Sequence, residues 1–149
     1  VILVGHSLGG FNLSYTMERF PHKIAVAVFV TASMPLSGTT PSESMNEIVA
    51  IIGTLEDSTF YYANGRENPA TSFKFGSHFW KHFMSQNSPS WDTTLSESLV
   101  KRCPVWQEPL LYTAKNYGSV TRVYIVAKDD KLIVEELQRK MIAENPPQT

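Results

Sequence analysis

The sequence predicts an α/β fold: a parallel sheet with flanking helices, interrupted by a mainly helical insertion. Three observations carry this. Val1-Ile2-Leu3-Val4 runs straight into Gly5-His6-Ser7-Leu8-Gly9-Gly10 and then a helix-like pattern; Ile24 to Val30 is an unbroken apolar run; and the β-rich stretch Val120 to Val126 precedes a second amphipathic helix pattern. Strand–helix–strand at the start and strand–helix at the end are the alternation from which parallel sheets are assembled.

The first strand, Val1 to Val4, ends in Gly-x-Ser-x-Gly. A strand, a very tight turn and a helix in that order place Ser7 at the apex of a nucleophile elbow. Gly5 and Gly9, two positions either side of Ser7, are expected to be glycines because side chains there would collide where strand and helix nearly touch. The serine itself must take a strained backbone conformation, which exposes its Oγ. The backbone N–H of Leu8, near the helix N-terminus, is then placed to stabilise a developing oxyanion.

The helix should run from about Leu8 to Arg19. Leu8, Phe11 and Tyr15 form one stripe and Leu13, Met17 and Phe20 another, so burial on two sides is expected. Pro21 stops it. Ile24 to Val30 then reads as a strand covered on both faces. From Pro35 the pattern changes: Ser37 to Ser42 is a polar loop, Met45 to Ile52 a short helix, and Thr54 to Val100 carries scattered aromatic residues between Gly, Pro and Asn breaks. An insertion over a sheet edge has this character, its rings forming a second small core with a few lining an apolar pocket. Alternation returns with Val120 to Val126 and the turn Ala127 to Lys131. The helix that follows has Ile133, Leu137 and Met141 as its stripe, Glu135 and Glu136 in its first turn, and Pro146-Pro147 at its close.

Composition excludes several roles. At 149 residues and 42% hydrophobic the chain can build one core, and a net charge of −1 with interspersed signs leaves no footprint for nucleic acid. The longest apolar run is far short of the ~20 residues of a membrane span. Cys103 is the only cysteine, which excludes an internal disulfide and fits a reducing, cytoplasmic setting. No cofactor is indicated. Starting at Val1 inside a strand, without an initiator Met, the chain reads as truncated.

A serine nucleophile needs a base, usually a histidine held by a carboxylate, in the chain order Ser, Asp, His. The acid falls in the turn after the last strand, where the pattern leaves Asp129 and Asp130 open. The histidines are His6, His22, His78 and His82, all before that turn. His78 and His82 have i, i+4 spacing, but Phe79 stands where His-Glu-x-x-His requires Glu, so surface or pocket roles rather than a metal site are expected of them. The base is expected beyond Thr149.

The chain resembles the plant methylesterase and hydroxynitrile lyase family of the α/β-hydrolase superfamily. The resemblance rests on GHSLGG with its helix, Val28 to Pro35, Ser72 to Gly76, and above all Gly118 to Val126 through Asp130-Lys131 and Glu135 to Arg139 to Asn145-Pro146-Pro147. It implies a partial α/β-hydrolase fold: a single incomplete domain with residues 1–34 and 118–149 as core and about 35–117 as cap insertion plus return to the core. It also implies that Asp130, just before the lysine, is the triad acid, and that the substrates are small methyl esters of the methyl jasmonate, methyl salicylate and methyl indoleacetate class. A homodimer is implied for the full-length protein. His6 and Leu8 around the serine favour esterase over hydroxynitrile lyase, and the retained Ser7 and Asp130 count against a non-catalytic receptor. The family's upstream His-Gly loop and late histidine have no counterpart. Ala127-Lys128-Asp129 and Arg102 to Trp106 also depart from its pattern. As it stands, the polypeptide is expected to be inactive.

Overall fold

The structure, a computed structural model, describes residues 1–99 and 102–146. Val100 and Pro147 lie outside these residues, as does the side chain of Trp91. Three strands, β1 (Ile2–Ser7), β2 (Val26–Ala32) and β6 (Arg122–Ile125), form a parallel sheet in the order β1-β2-β6. Val4 pairs with Val28 and Val28 with Val123, so the carboxyl ends of all three strands share one edge. Open α/β sheets carry their functional groups at that edge.

Helices α1 (Gly9–Arg19) and α5 (Glu135–Glu144) pack on the same face of this sheet. Leu13 and Met17 of α1 meet Ala27, Phe29 and Leu3, while Met141 and Ile142 of α5 close the same core. The opposite face differs from the expectation of a strand covered on both sides. Val26, Val28 and Val30 are half-buried, and the neighbouring Ile2, Val4, Val123 and Ile125 are exposed, so no described element covers that face. The apolar run in β2 therefore reflects a sheet chemically suited to two covers, with one present among the described residues. Helix α1 is likewise buried on one side only: Phe11, Leu13 and Met17 are buried, whereas Tyr15 and Phe20 are each 48% exposed.

The first helix of the insertion starts earlier than its pattern predicts, and the insertion is more varied. Helix α2 spans Pro41–Ile52, not Met45–Ile52, because Thr40 caps it. The Glu43 N–H donates to Thr40 Oγ1 at 3.0 Å and the Thr40 N–H donates to Glu43 Oε2 at 2.7 Å, a capping box with Pro41 in the first turn. Three short strands, β3 (Thr59–Tyr61), β4 (Ser72–Lys74) and β5 (Cys103–Pro104), make a small antiparallel sheet within the otherwise helical insertion. A helical segment follows β4, one α-turn (α3, Ser77–Phe79) running into a π-helical stretch, Trp80–Met84, and α4 covers Ser90–Leu99. Phe73, Phe75, Phe79 and Trp80 form the second core expected of the scattered rings. The Phe75 and Phe79 rings stack at 5.0 Å and Phe73 meets Phe75 edge-on at 4.9 Å.

Two carboxylates pin loops to this framework. Glu18 on α1 accepts hydrogen bonds from the Thr113 and Tyr117 N–H groups, the Thr113 hydroxyl and the Asn116 amide. Burial raises its pKa, but these donors outweigh that and hold it below the ordinary carboxylate value. The His78 and Phe79 N–H groups do the same for Asp57. Because both folded-state values lie below the unfolded ones, this stabilisation is fully present above the ordinary carboxyl pKa of about 4 and is lost as pH falls through the lower folded values. The urea midpoint is therefore expected to be flat near pH 6 and to drop below about pH 4. Glu18→Gln should shrink that acid-dependent drop; an unchanged profile in the variant would contradict the assignment.

Candidate active site

β1 ends and α1 begins within three residues. Ser7 sits between them at φ +54°, and Leu8 follows in right-handed helical geometry at the head of α1. A positive φ is uncommon for a residue with a side chain and is costly unless the surroundings impose it. Here they do: β1 is locked to β2, and the Ser33 N–H donates to the Ser7 carbonyl at 3.0 Å. Ser7 Oγ makes no hydrogen bond among the described residues. The N–H of Leu8 belongs to the first turn of α1, whose N–H groups have no intrahelical acceptor and bear the positive end of the helix dipole.

The glycines divide differently from the expected symmetry about Ser7. A Cβ on Gly5 would lie 2.8 Å from Leu13 Cγ and 3.0 Å from the Gly9 carbonyl. On Gly10 it would lie 1.8 Å from the Ser33 carbonyl oxygen. On Gly9 it would meet nothing within 4 Å. The close approach that requires glycine is thus between Gly10 and the backbone after β2, since the helix turns Gly9 away from the sheet. His6, next to Ser7, is exposed on the uncovered side of the sheet with Ile2 and Val4.

Asp130 lies in the turn after β6 and is held by three donors. Its Oδ1 accepts from the Leu132 N–H at 2.8 Å and the Ile133 N–H at 2.9 Å, and its Oδ2 accepts from the Thr31 hydroxyl at 2.8 Å. Asp129 has no such role; its carbonyl accepts from the Gln86 side chain. Thr31, near the end of the strand between β1 and β6, ties Asp130 to the middle of the sheet. The β1–β2 register skips it, pairing His6 with Val30 and Ser7 with Ala32, and it takes φ +35°. That irregularity, next to Ser7, aims the threonine hydroxyl at Asp130. Gln138, fully buried, fixes the turn from beneath: its Nε2 donates to the Ala127 and Ile133 carbonyls and its Oε1 accepts from the Ala127 N–H. Neither residue stands out in the sequence, because each acts through a partner fixed only by the fold. Thr31→Val, which removes a bond to a carboxylate, is expected to destabilise the fold by about 1.5–3 kcal/mol. Thr31→Ser should recover most of this; equal urea midpoints for all three proteins would refute the link.

None of the four histidines hydrogen-bonds Asp130 among the described residues. His22 follows α1, at the opposite edge of the sheet from Ser7, and His78 and His82 lie on the insertion beside Glu56. Beside the elbow is a cavity of about 410 Å³, walled by Leu8 and Phe11 from the core and by Met45, Phe60, Phe73 and Trp106 from the insertion. Its lining is mostly apolar, as a site for a small uncharged molecule requires. Phe60 and Phe73 are among the rings expected to line such a pocket.

A parallel sheet whose first strand turns through a strained serine into a helix, with an acid at the end of a strand two places away, defines the α/β-hydrolase class of fold. The chain belongs to the alpha/beta hydrolase family, whose model it matches over residues 1–149. It is 43% identical over 149 residues to salicylic acid-binding protein 2 of Nicotiana tabacum, covering 95% of this chain and 57% of that one. It is 41% identical over 156 residues to methyl jasmonate esterase 1 of Vitis vinifera, covering 98% and 58%. The crystal structure of polyneuridine aldehyde esterase superposes with a TM-score of 0.86 at 29% identity, covering 99% of this chain and 60% of that one. The chain therefore spans somewhat more than half the length of these relatives, and the plant-methylesterase resemblance read from the motifs is borne out.

Proposed function

We propose that this chain carries the nucleophile and acid of a serine carboxylesterase acting on methyl esters of small plant acids, of the jasmonate, salicylate and indoleacetate class. The observation that carries the reading is Ser7 at φ +54° at the carboxyl end of β1, on the same sheet edge as an Asp130 carboxylate held by three donors, one of them Thr31 of the strand between them. Ser7 Oγ attacks the ester carbonyl as a histidine takes its proton. The Leu8 N–H stabilises the tetrahedral oxyanion, and the protonated histidine delivers its proton to the departing methoxide, releasing methanol. Water then hydrolyses the acyl-serine by the same route. Asp130 orients that histidine and stabilises its charged form. Residues 1–34 and 118–149 act as the core, and about 35–117 as the cap insertion that encloses the acyl group plus the return to the core. A cytoplasmic location and a small-molecule ester as partner belong to the same proposal.

Because no histidine of this chain is placed at Asp130, added imidazole should supply the base. The test is methanol release from methyl jasmonate, methyl salicylate and methyl indoleacetate by the 149-residue chain, with and without imidazole. Imidazole-dependent release is the expected result. Cyanide release from a cyanohydrin without ester hydrolysis would replace the reading with a lyase, and tight binding of the free acid without turnover would replace it with a receptor.

A further inference from the structure

We propose that Glu56, His78 and His82 form a binding site for a divalent transition metal of the zinc type on the outer surface of the insertion. One ligand atom from each residue lies within 4.8 Å of the others. Two imidazoles and a carboxylate are a donor set that zinc takes up in open sites, leaving a fourth position for water. Imidazole also suits copper and nickel, whereas calcium and magnesium prefer all-oxygen sites.

The histidine spacing alone does not make this site, and its third member comes from a loop more than twenty residues upstream. His78 and His82 share the solvent face of the helical segment because Phe79 and Trp80 anchor its other face in the second core. Their rings stand 5.8 Å apart, nearly perpendicular. Glu56 brings its carboxylate to 3.2 Å from His82 Nδ1. It does so at φ +45°, a strained backbone state for a residue with a side chain, stabilised by the Glu56 N–H donating to Thr54 Oγ1 at 2.7 Å. The next residue, Asp57, grips the N-terminus of the same helical segment through the His78 and Phe79 N–H groups, fixing loop and helix relative to each other. An exposed Glu–His pair contributes little to stability by itself, so the pair does not account for that strain. Zinc bonds of 2.0–2.2 Å place tetrahedral donors about 3.3 Å apart. All three residues are exposed, with the His82 and Glu56 side chains 55% and 26% exposed, so χ rotation without backbone movement is the route that would close the remaining distance.

A metal here would staple residues 54–57 to the helical segment, and Leu55 in that loop lines the cavity beside Leu8. The test is a Zn²⁺ titration of the chelator-treated 149-residue chain in competition with a chromophoric chelator, together with Co²⁺ absorption spectroscopy. One equivalent should bind and raise the thermal midpoint, and Co²⁺ should show the visible bands of a low-coordinate N/O site. His82→Ala, His78→Ala and Glu56→Gln should each weaken binding by at least ~10-fold, the loss that even an indirect ligand contact produces. His22→Ala, at an exposed histidine elsewhere, should leave it unchanged. Circular dichroism of the metal-free variants, all altered at exposed positions, verifies that each is folded. Equal Zn²⁺ affinity in the wild type and in the His78→Ala, His82→Ala double variant would overturn the proposal, as would an equal loss in His22→Ala.

Discussion

Imidazole-dependent ester hydrolysis is expected to vanish in Ser7→Ala, falling to the rate of imidazole alone. The magnitude follows from what Ser7 alone supplies. Imidazole free in solution attacks esters slowly, whereas an Oγ held at an elbow presents the nucleophile beside the Leu8 N–H in the geometry that the reaction needs. In the presence of imidazole, the wild type should be labelled by a fluorophosphonate, which reacts with an activated serine, and Ser7→Ala should not. Retained hydrolysis in Ser7→Ala would mean that the elbow is only a strand-to-helix connection. Asp130→Asn should fall between the two, because freely diffusing imidazole depends less on an orienting carboxylate than a tethered histidine does.

The second large effect concerns stability and separates two adjacent glycines. Gly10→Ala puts a methyl group 1.8 Å from the Ser33 carbonyl oxygen, and neither partner is a movable side chain. α1 must then lift from the end of β2, which is expected to cost more than about 4 kcal/mol and to unfold a domain of ordinary stability. Gly9→Ala meets nothing within 4 Å and should be neutral or stabilising by up to about 1 kcal/mol, since alanine lowers the entropy of the unfolded chain. Thermal or urea midpoints of the two variants decide this. Comparable destabilisation by both would show that α1 does not approach Ser33 as described.

The contrast between these glycines shows where sequence reasoning reaches its limit. The elbow motif predicts a strand, a serine at positive φ and a helix, because those follow from local backbone geometry. Which glycine carries the contact depends on the angle at which α1 crosses the end of β2, a property of two packed elements. Gly5 meets the expectation through Leu13 of the same helix, and Gly9 does not.

Other features of the insertion were legible in part. The capping box of α2 is written in the chain as Thr40-Pro41-Ser42-Glu43, and its T-x-x-E spacing marks a helix start that a polar-loop reading of the same residues passes over. The strands β3, β4 and β5 hold two or three residues each. Their alternation is too short to register, and their existence rests on pairing between residues such as Phe73 and Cys103, thirty positions apart. The turn around Asp130 was readable as the place proposed for the acid, being the end of a strand before a helix. Its supports, Thr31 and Gln138, were not, since one comes from a strand irregularity and the other from a buried amide that resembles any surface glutamine in the sequence.

The sequence by itself determined the alternation of strands and helices, the serine elbow and the acid-bearing turn, because hydrophobic period, glycine placement and motif spacing act over a few neighbouring residues. Only the tertiary structure decided that Gly10 rather than Gly9 lies against the sheet, that Thr31 joins the serine strand's neighbour to Asp130, that one sheet face has no cover among the described residues, and that Glu56 meets His78 and His82. Each of these is a contact between segments distant in the chain, and such contacts are selected by the packing of the whole sheet and its insertion.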